Sequence, residues 1–237
     1  MSSPAGIEVV PLALGYVTPR GGPLAGGRVA IQAFLIRHPK GPFLVDTGVG
    51  RGHDSIDKLY KQELVALTDA LAAIGCAPSD IAAVINTHLH FDHCGENRLF
   101  AGVPIYVQAA EYEAAAAYGY TVPEWVQFVG AKYNQLTGED EIATGVTVLP
   151  TPGHTPGHQS VLVETDGGLA VIAGHAAYTA TEYADEEPAV GGDWDDAAYA
   201  RSLASLRGLA PQRVYFSHDT RVWTKEQRRA RKRTSES

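Results

Sequence analysis

The chain of 237 residues, 45% of them hydrophobic and 19% charged, has the composition of one globular domain with a single core. No apolar run reaches the roughly 18 to 20 residues of a membrane span, and the N-terminal segment lacks the basic start and long apolar stretch of an export signal. A net charge of −8 argues against nucleic acid as the main substrate, so we expect a cytoplasmic protein with neither a membrane nor a nucleic-acid partner.

Segments typical of strands and helices alternate along the chain. Short runs rich in branched and aromatic residues, bounded by glycine and proline, predict strands at 7–14, 28–38, 41–48, 81–87, 104–108, 146–150, 159–165, 169–174 and 213–217. Apolar residues at helical spacing predict helices at 61–75, 110–119 and 194–209. This mixture, with no internal repeat and no long linker, predicts a layered α/β sheet structure in a single domain spanning 1–237.

The C-terminal end, at about 225–237, is a basic tail within an otherwise acidic chain. A basic tail can contact nucleic acid or an anionic membrane. We interpret this one as a solvated chain end, because beyond Trp223 no aromatic residue is interleaved with the charges as a stacking surface requires.

A cluster of metal-binding side chains follows the predicted strand 81–87. In NTHLHFDHCG, residues 86–95, His88, His90, Asp92 and His93 lie within six positions. Side chains this close would desolvate or repel one another unless a cation organised them, and zinc accepts both imidazole nitrogen and carboxylate oxygen. In an extended loop His88 and His90 point the same way while the other two turn aside, which favours two adjacent metal positions.

Two further histidines are expected to complete the metal centre. His154 follows the predicted strand 146–150 and His218 lies just beyond the predicted strand at 213–217, so each lies at a strand end, as His88 does. Either one alone could be a structural histidine. Together with the cluster, we interpret both as ligands.

The H-x-H-x-D-H pattern of residues 88–93 resembles the signature of the metallo-β-lactamase superfamily. HLHFDHCGEN, VQAAEYEAA, TPGHTPGHQS and AAYTATEYADEEP, with FLVDTG upstream and FSHD near the C terminus, resemble the zinc-dependent N-acyl homoserine lactonases of that superfamily. The resemblance covers about residues 31–219. It implies an αββα sandwich, in which two sheets lie face to face with helices outside. It also implies two divalent metal ions, zinc being favoured over iron or manganese.

The resemblance also assigns roles to residues. It places at the first metal His88, His90 and His154, and at the second Asp92, His93 and His218. Asp46 resembles a carboxylate that orients a ligand imidazole, although a turn-forming aspartate is an equally good interpretation. His158 is expected to be structural and Cys94 to have no metal role, because the family pattern places no ligand at either position.

His175 departs from the pattern of these lactonases, in which the matching residue is usually an aspartate that bridges the two metals. A carboxylate can span two cations, whereas a neutral imidazole offers one lone pair to one metal. Our hypothesis is that His175 binds one metal, the second, while a hydroxide alone bridges the pair. The alternative is that His175 faces away and the second site is weak or empty.

The resemblance implies a hydrolase that opens the lactone ring of N-acyl homoserine lactones, the reaction known as quorum quenching. A metal-activated hydroxide would attack the carbonyl, and Asp92 would hold it and move a proton. Tyr178 matches a family tyrosine whose phenol stabilises the oxyanion, with a packing role as the alternative. A thioester hydrolase of the glyoxalase II type, another lactone or ester hydrolase, and a non-catalytic metal-binding regulatory protein are the alternative functions.

Two segments, 17–30 and 117–130, are expected to line the pocket for a small lactone or ester. Candidates for contact with an acyl chain are Tyr118, Tyr120, Trp125 and Phe128, with packing in the core as the alternative. No sequence pattern specifies an oligomeric state.

Overall fold

Two β-sheets form the centre of the computed structural model, which describes residues 6–20, 25–185 and 194–226. Part of the expected pocket segment 17–30, the end of the stretch AAYTATEYADEEP and nearly all of the basic tail lie outside these residues. None of the helices in the described ranges is long and apolar enough to cross a membrane.

The first sheet has seven strands, β1 (Glu8–Pro19), β2 (Val29–Arg37), β3 (Phe43–Val45), β4 (Tyr60–Leu64), β5 (Ala83–Ile85), β6 (Pro104–Gln108) and β7 (Lys132–Leu136). Their spatial order is β4-β1-β2-β3-β5-β6-β7. Strands β1 to β4 pair antiparallel among themselves, whereas β3, β5, β6 and β7 are parallel.

The second sheet has six strands, β8 (Asp140–Ala143), β9 (Val146–Pro150), β10 (Gln159–Thr165), β11 (Gly168–Ile172), β12 (Arg213–Tyr215) and β13 (Trp223–Thr224). They follow one another in reverse chain order across the sheet. All neighbours are antiparallel except β11 and β12, which are parallel. The helices are α1 (Asp54–Leu59), α2 (Leu67–Ala73), α3 (Phe91–Cys94), α4 (Ala109–Ala114), α5 (Pro123–Val126), α6 (Ala180–Tyr183) and α7 (Asp196–Gly208).

Alternating side chains place each sheet between two apolar layers. In β2, Phe34 and Ile36 point towards the second sheet and pack with its valines, whereas Leu35 points outwards to the layer that contains α2. On the far side, Tyr199 and Leu203 of α7 cover the outer face of the second sheet. The order helix, sheet, sheet, helix confirms the predicted αββα sandwich.

Every predicted strand is present, but one predicted helix is partly wrong. The segment 61–75 forms a helix only from Leu67, while Tyr60–Leu64 is strand β4 at the edge of the first sheet. Pairing with β1 in the register Gly15↔Leu64 to Pro19↔Tyr60 outweighs the helical spacing of the leucines. The other two helices are confirmed with shorter bounds, as α4 and α7.

Candidate metal centre and active site

Loops from both sheets meet at one edge of the sandwich. In the first sheet Asp46 follows β3 and His88 lies beyond β5, and in the second sheet His175 lies beyond β11 and His218 beyond β12. The strands of each pair are parallel, so they end at the same edge. His154 joins them from the loop between β9 and β10.

Three buried imidazoles form a first ligand group, which consists of His88, His154 and His175. Their potential ligand atoms all lie within 4.8 Å of one another. His90 adjoins this group, because its Nδ1 lies 3.0 Å from Nε2 of His154 and its ring packs edge-on against that of His88. The three histidines that the sequence assigned to the first metal are therefore close together, with His175 beside them.

A second ligand group consists of Asp92, His93, His175 and His218, within the same 4.8 Å limit. Nε2 of His175 lies 3.0 Å from Nε2 of His93 and 2.6 Å from Nε2 of His218. Oδ2 of Asp92 lies 3.6 Å from His93 Nε2 and 3.4 Å from His218 Nε2. His175 therefore faces into the site and belongs to both groups.

The two groups have the chemistry of a cation site. Nε2 of His88 and Nδ1 of His175 are buried and have no hydrogen-bond partner in the described part of the chain, a costly arrangement for polar atoms. Burial, followed by the neighbouring imidazoles, holds the pKa of both histidines well below the ordinary value, so each is neutral and keeps a lone pair. Burial alone would raise the pKa of Asp92, but His93 and His218 bring it below its ordinary value, so the carboxylate is ionised. Neutral imidazoles at His88 and His175, together with an ionised carboxylate at Asp92, fit a divalent metal.

The family model of the metallo-β-lactamase superfamily matches residues 26–218. The N-acyl homoserine lactonase of Bacillus cereus is 34% identical over 205 residues, which cover 80% of this chain and 81% of that protein. The chain belongs to the metallo-β-lactamase superfamily. AiiA, an N-acyl homoserine lactonase of Bacillus thuringiensis subsp. kurstaki, is 32% identical over the same length.

Solved structures agree with this family. A quorum-quenching N-acyl homoserine lactone lactonase superposes with a TM-score of 0.79 at 28% identity, over 92% of this chain and 95% of that chain. An N-acyl homoserine lactone hydrolase with N-hexanoyl-L-homoserine bound at its catalytic metal centre superposes with a TM-score of 0.77 at 28% identity, over 97% of both chains.

Asp46 contacts a histidine of the metallo-β-lactamase motif from behind. Its Oδ2 lies 2.7 Å from Nδ1 of His93, and its carboxylate accepts hydrogen bonds from the backbone N–H and the hydroxyl of Thr87. The φ of Asp46 is 59°, in the left-handed region that aspartate tolerates better than most residues. Both interpretations from the sequence therefore apply, because the turn aims the carboxylate at the imidazole. Burial alone would lower the pKa of His93, but Asp92 and Asp46 raise it above its ordinary value.

Tyr178 lies beside the first ligand group. Its hydroxyl is 2.9 Å from Nδ1 of His154, and its ring centroid is 4.5 Å from that of His175. Oε2 of Glu182 accepts the backbone N–H of Tyr178 at 2.5 Å, and Oε1 accepts the hydroxyl of Tyr199 at 2.6 Å. Glu182 thus fixes the backbone of Tyr178, whose phenol faces the ligand groups.

A pocket of about 970 Å³ opens onto both ligand groups and Tyr178. Its walls are mainly apolar and come from β1, β2, α1 and the loop 116–123. Tyr118 and Tyr120 line this pocket, as expected. For Trp125 and Phe128 the alternative, packing in the core, applies: Trp125 is buried and packs edge-on against His53, while Phe128 packs with the core layer around α2.

His158 and Cys94, to which the sequence analysis gave no metal role, lie outside the ligand groups. Nε2 of His158 accepts the backbone N–H of His175 at 2.8 Å, and its Nδ1 lies 3.0 Å from the carbonyl oxygen of Thr151. Burial raises the pKa of Cys94 to about 12, and its thiol contacts the carbonyl oxygen of Leu89. His158 therefore supports the backbone of His175, and Cys94 stays a protonated thiol.

Glu111 and Glu182 are buried beside the site, and the sequence did not single them out. Both lie on short helices, α4 and α6, within stretches otherwise rich in alanine and small residues. An isolated glutamate in the first turn of such a helix is a weak signal, since the same position suits an exposed side chain. Each also depends on a donor distant in sequence, Thr155 for Glu111 and Tyr199 of α7 for Glu182.

Proposed function

We propose that this protein hydrolyses the lactone ring of N-acyl homoserine lactones with two Zn²⁺ ions. The observation that carries the proposal is the pair of adjacent ligand groups, which share His175 and open onto a single pocket of about 970 Å³. Relatives with 32% and 34% identity that bear the name N-acyl homoserine lactonase support the choice of substrate.

The donor set supports zinc. His88, His90 and His154 would hold the first ion, and Asp92, His93 and His218 the second, with His175 as a further ligand of the second. Imidazole nitrogen suits zinc, whereas manganese and magnesium prefer carboxylate, carbonyl and water oxygen. When bound, such an ion pair supplies an activated water and polarises the substrate carbonyl.

The side chains around the ligand groups perform the remaining steps. Tyr178 is placed to donate a hydrogen bond to the oxygen that gains negative charge when the carbonyl is attacked, since it lines the pocket within contact of His154 and His175. Asp92 also lines the pocket and is ionised, so it is placed to accept a proton and return it to the leaving alkoxide.

The pocket walls suit an acyl chain. Val17 and Val29 from the first sheet, Ile56 and Leu59 from α1, and Val122 present apolar surface close to the ligand groups. A lactone ring bound at the ligand groups would extend its acyl chain along this surface, where burial of each methylene contributes about 0.8 kcal/mol. The apolar wall therefore favours acylated lactones over the bare ring.

Proton release on ring opening tests the proposal directly. The zinc-loaded protein is mixed with short-chain and long-chain N-acyl homoserine lactones in a weakly buffered solution, and one proton is expected for each ring opened. A chelator should abolish the release and added Zn²⁺ should restore it, while the ring-opened acyl homoserine serves as the blank. A metal-loaded protein that opens no lactone but liberates thiol from acyl thioesters would contradict the proposal.

A further inference from the structure

Glu111 is a fully buried carboxylate that three hydrogen-bond donors surround. Its Oε1 accepts the backbone N–H of Leu89 at 2.9 Å and also the hydroxyl of Tyr120. Its Oε2 accepts the hydroxyl of Thr155 at 2.6 Å. Burial of a carboxylate is costly, and charge-assisted hydrogen bonds of this kind offset that cost.

Each donor belongs to a segment that carries or covers a histidine at or adjoining the first ligand group. Leu89 lies between His88 and His90, and Thr155 follows His154 directly. The ring of Tyr120 packs on the ring of His90, with 4.7 Å between centroids. One carboxylate therefore joins the three segments that bring these imidazoles together.

The contact between α4 and the loop of His154 is close along the main chain as well. A Cβ built on Gly157 would lie 2.1 Å from the backbone nitrogen of Glu111. Only glycine allows this approach, so the loop rests directly on the first turn of α4. The position of the Glu111 carboxylate relative to Thr155 is fixed by packing and not only by the hydrogen bond.

Tyr120 remains a hydrogen-bond donor in its buried position beside Glu111. Burial, followed by the charge of Glu111, raises the pKa of Tyr120 far above its ordinary value. The phenol therefore stays protonated, and its hydrogen bond to Glu111 holds the ring against His90 on the pocket wall.

We infer that Glu111 is a positioning residue for the first ligand group. It touches neither a ligand nitrogen nor the substrate, and it acts through Leu89, Thr155 and Tyr120 to hold His88, His90 and His154 in converging positions. The inference rests on the proposed metal site. Outer partners of metal ligands typically contribute 10- to 100-fold to metal affinity, and Glu111 would contribute in this range although it is one residue further out.

Metal affinity at each group, measured apart from turnover, tests the inference. The metal-depleted protein is titrated with Co²⁺, whose visible absorption reports the ligand set, and with Zn²⁺ in competition with a chelator. His154→Ala and His218→Ala identify which binding step belongs to the first group and which to the second. Glu111→Ala should weaken the first-group step by about 10- to 100-fold and leave the second-group step unchanged.

Conservative and matched variants separate a positioning role of Glu111 from a general disturbance of the fold. Glu111→Gln should recover most of the affinity, since the amide oxygen still accepts the N–H of Leu89 and the shape is kept. Glu113→Ala, at an exposed position of the same helix, should change neither step. If Glu111→Ala does not fold, Thr155→Val and Tyr120→Phe remove single donors, and each should weaken the first-group step.

Two results would overturn the inference while the proposed function stands: an unchanged first-group step in folded Glu111→Ala, or an equal weakening of both steps in that variant. If the alanine variant does not fold, an unchanged first-group step in both Thr155→Val and Tyr120→Phe overturns it in the same way. A wild-type protein that binds no divalent metal would instead overturn the proposed function, and this inference with it.

Discussion

Replacement of Tyr178 by phenylalanine isolates the contribution of one hydroxyl group. The ring keeps its place, because it packs against the rings of His175 and Tyr199 and its backbone N–H remains bonded to Glu182. The variant loses the 2.9 Å contact with Nδ1 of His154 and the hydrogen bond that we propose to the developing oxyanion.

The expected loss can be worked out for each of these contacts. Removal of an oxyanion donor costs about 2.7 to 4 kcal/mol, or roughly 100- to 1,000-fold in kcat. Loss of the contact with His154 costs about 1 kcal/mol of folding free energy, and it lowers metal affinity at the first group by about tenfold, the lower end for an outer partner. The effect on kcat should therefore exceed the effect on metal affinity.

The assay is steady-state lactone hydrolysis at saturating Zn²⁺, with the metal content of each sample measured by elemental analysis. Tyr183→Phe is the matched control, because it also removes a buried phenol hydroxyl, which donates to the carbonyl oxygen of Leu206 away from the pocket. It should leave kcat unchanged. If Tyr178→Phe keeps the wild-type kcat, or if extra zinc restores it fully, the hydroxyl only orients His154 and the reasoning fails.

Three further predictions follow from the structure. His175→Ala should weaken metal binding at the second group by more than about 100-fold, since loss of an outer partner alone costs 10- to 100-fold, and unchanged zinc stoichiometry and affinity would contradict this. At pH 8 the native protein should show slow reaction of Cys94 with a thiol reagent, because burial raises its pKa to about 12, whereas the half-exposed Cys76 reacts first; two equally fast thiols would argue against the burial. Gly153→Ala should lower the free energy of unfolding by about 1 to 3 kcal/mol in urea titrations, because its Cβ would lie 2.4 Å from the backbone of α7, while Gly208→Ala meets open space and should have no such effect.

Nine of the thirteen strands were predictable, because their apolar character is local in the sequence, whereas β4, β7, β8 and β13 were not predicted. In β2 nearly every residue is buried, so the run from Val29 reads as a strand without knowledge of its partners. Strand β4 was not predictable in this way, since its sequence YKQEL is mainly polar and its leucine also fits the spacing of a helix. Its conformation is decided by β1, which pairs with it across more than forty positions of sequence.

The same difference between local and long-range signals applies to the candidate site. The candidate metal ligands were predictable because His and Asp cluster at strand ends, and the loops bring them close together. Glu111 and Glu182 were not predictable, since their roles depend on donors at Thr155 and Tyr199, on elements distant in sequence. Trp125 shows what the sequence left open, because whether an aromatic side chain in the segment 117–130 faces the pocket or the core depends on the fold, and here it is buried.

Because the candidate ligands follow strands of both sheets, the proposed metal would link metal supply to the lifetime of the protein. His88 and His93 follow β5 of the first sheet, and His175 and His218 follow β11 and β12 of the second. The loop after β12 is also tied back to β2 of the first sheet, because Nδ1 of His218 lies 2.7 Å from the carbonyl oxygen of Ala30. An ion held by both halves binds only the folded chain, so at a free concentration 1,000 times its Kd it adds about 4 kcal/mol to stability. When the proposed metal is scarce, the chain would then unfold more often and be degraded faster, and the cell would lose the protein itself along with its activity.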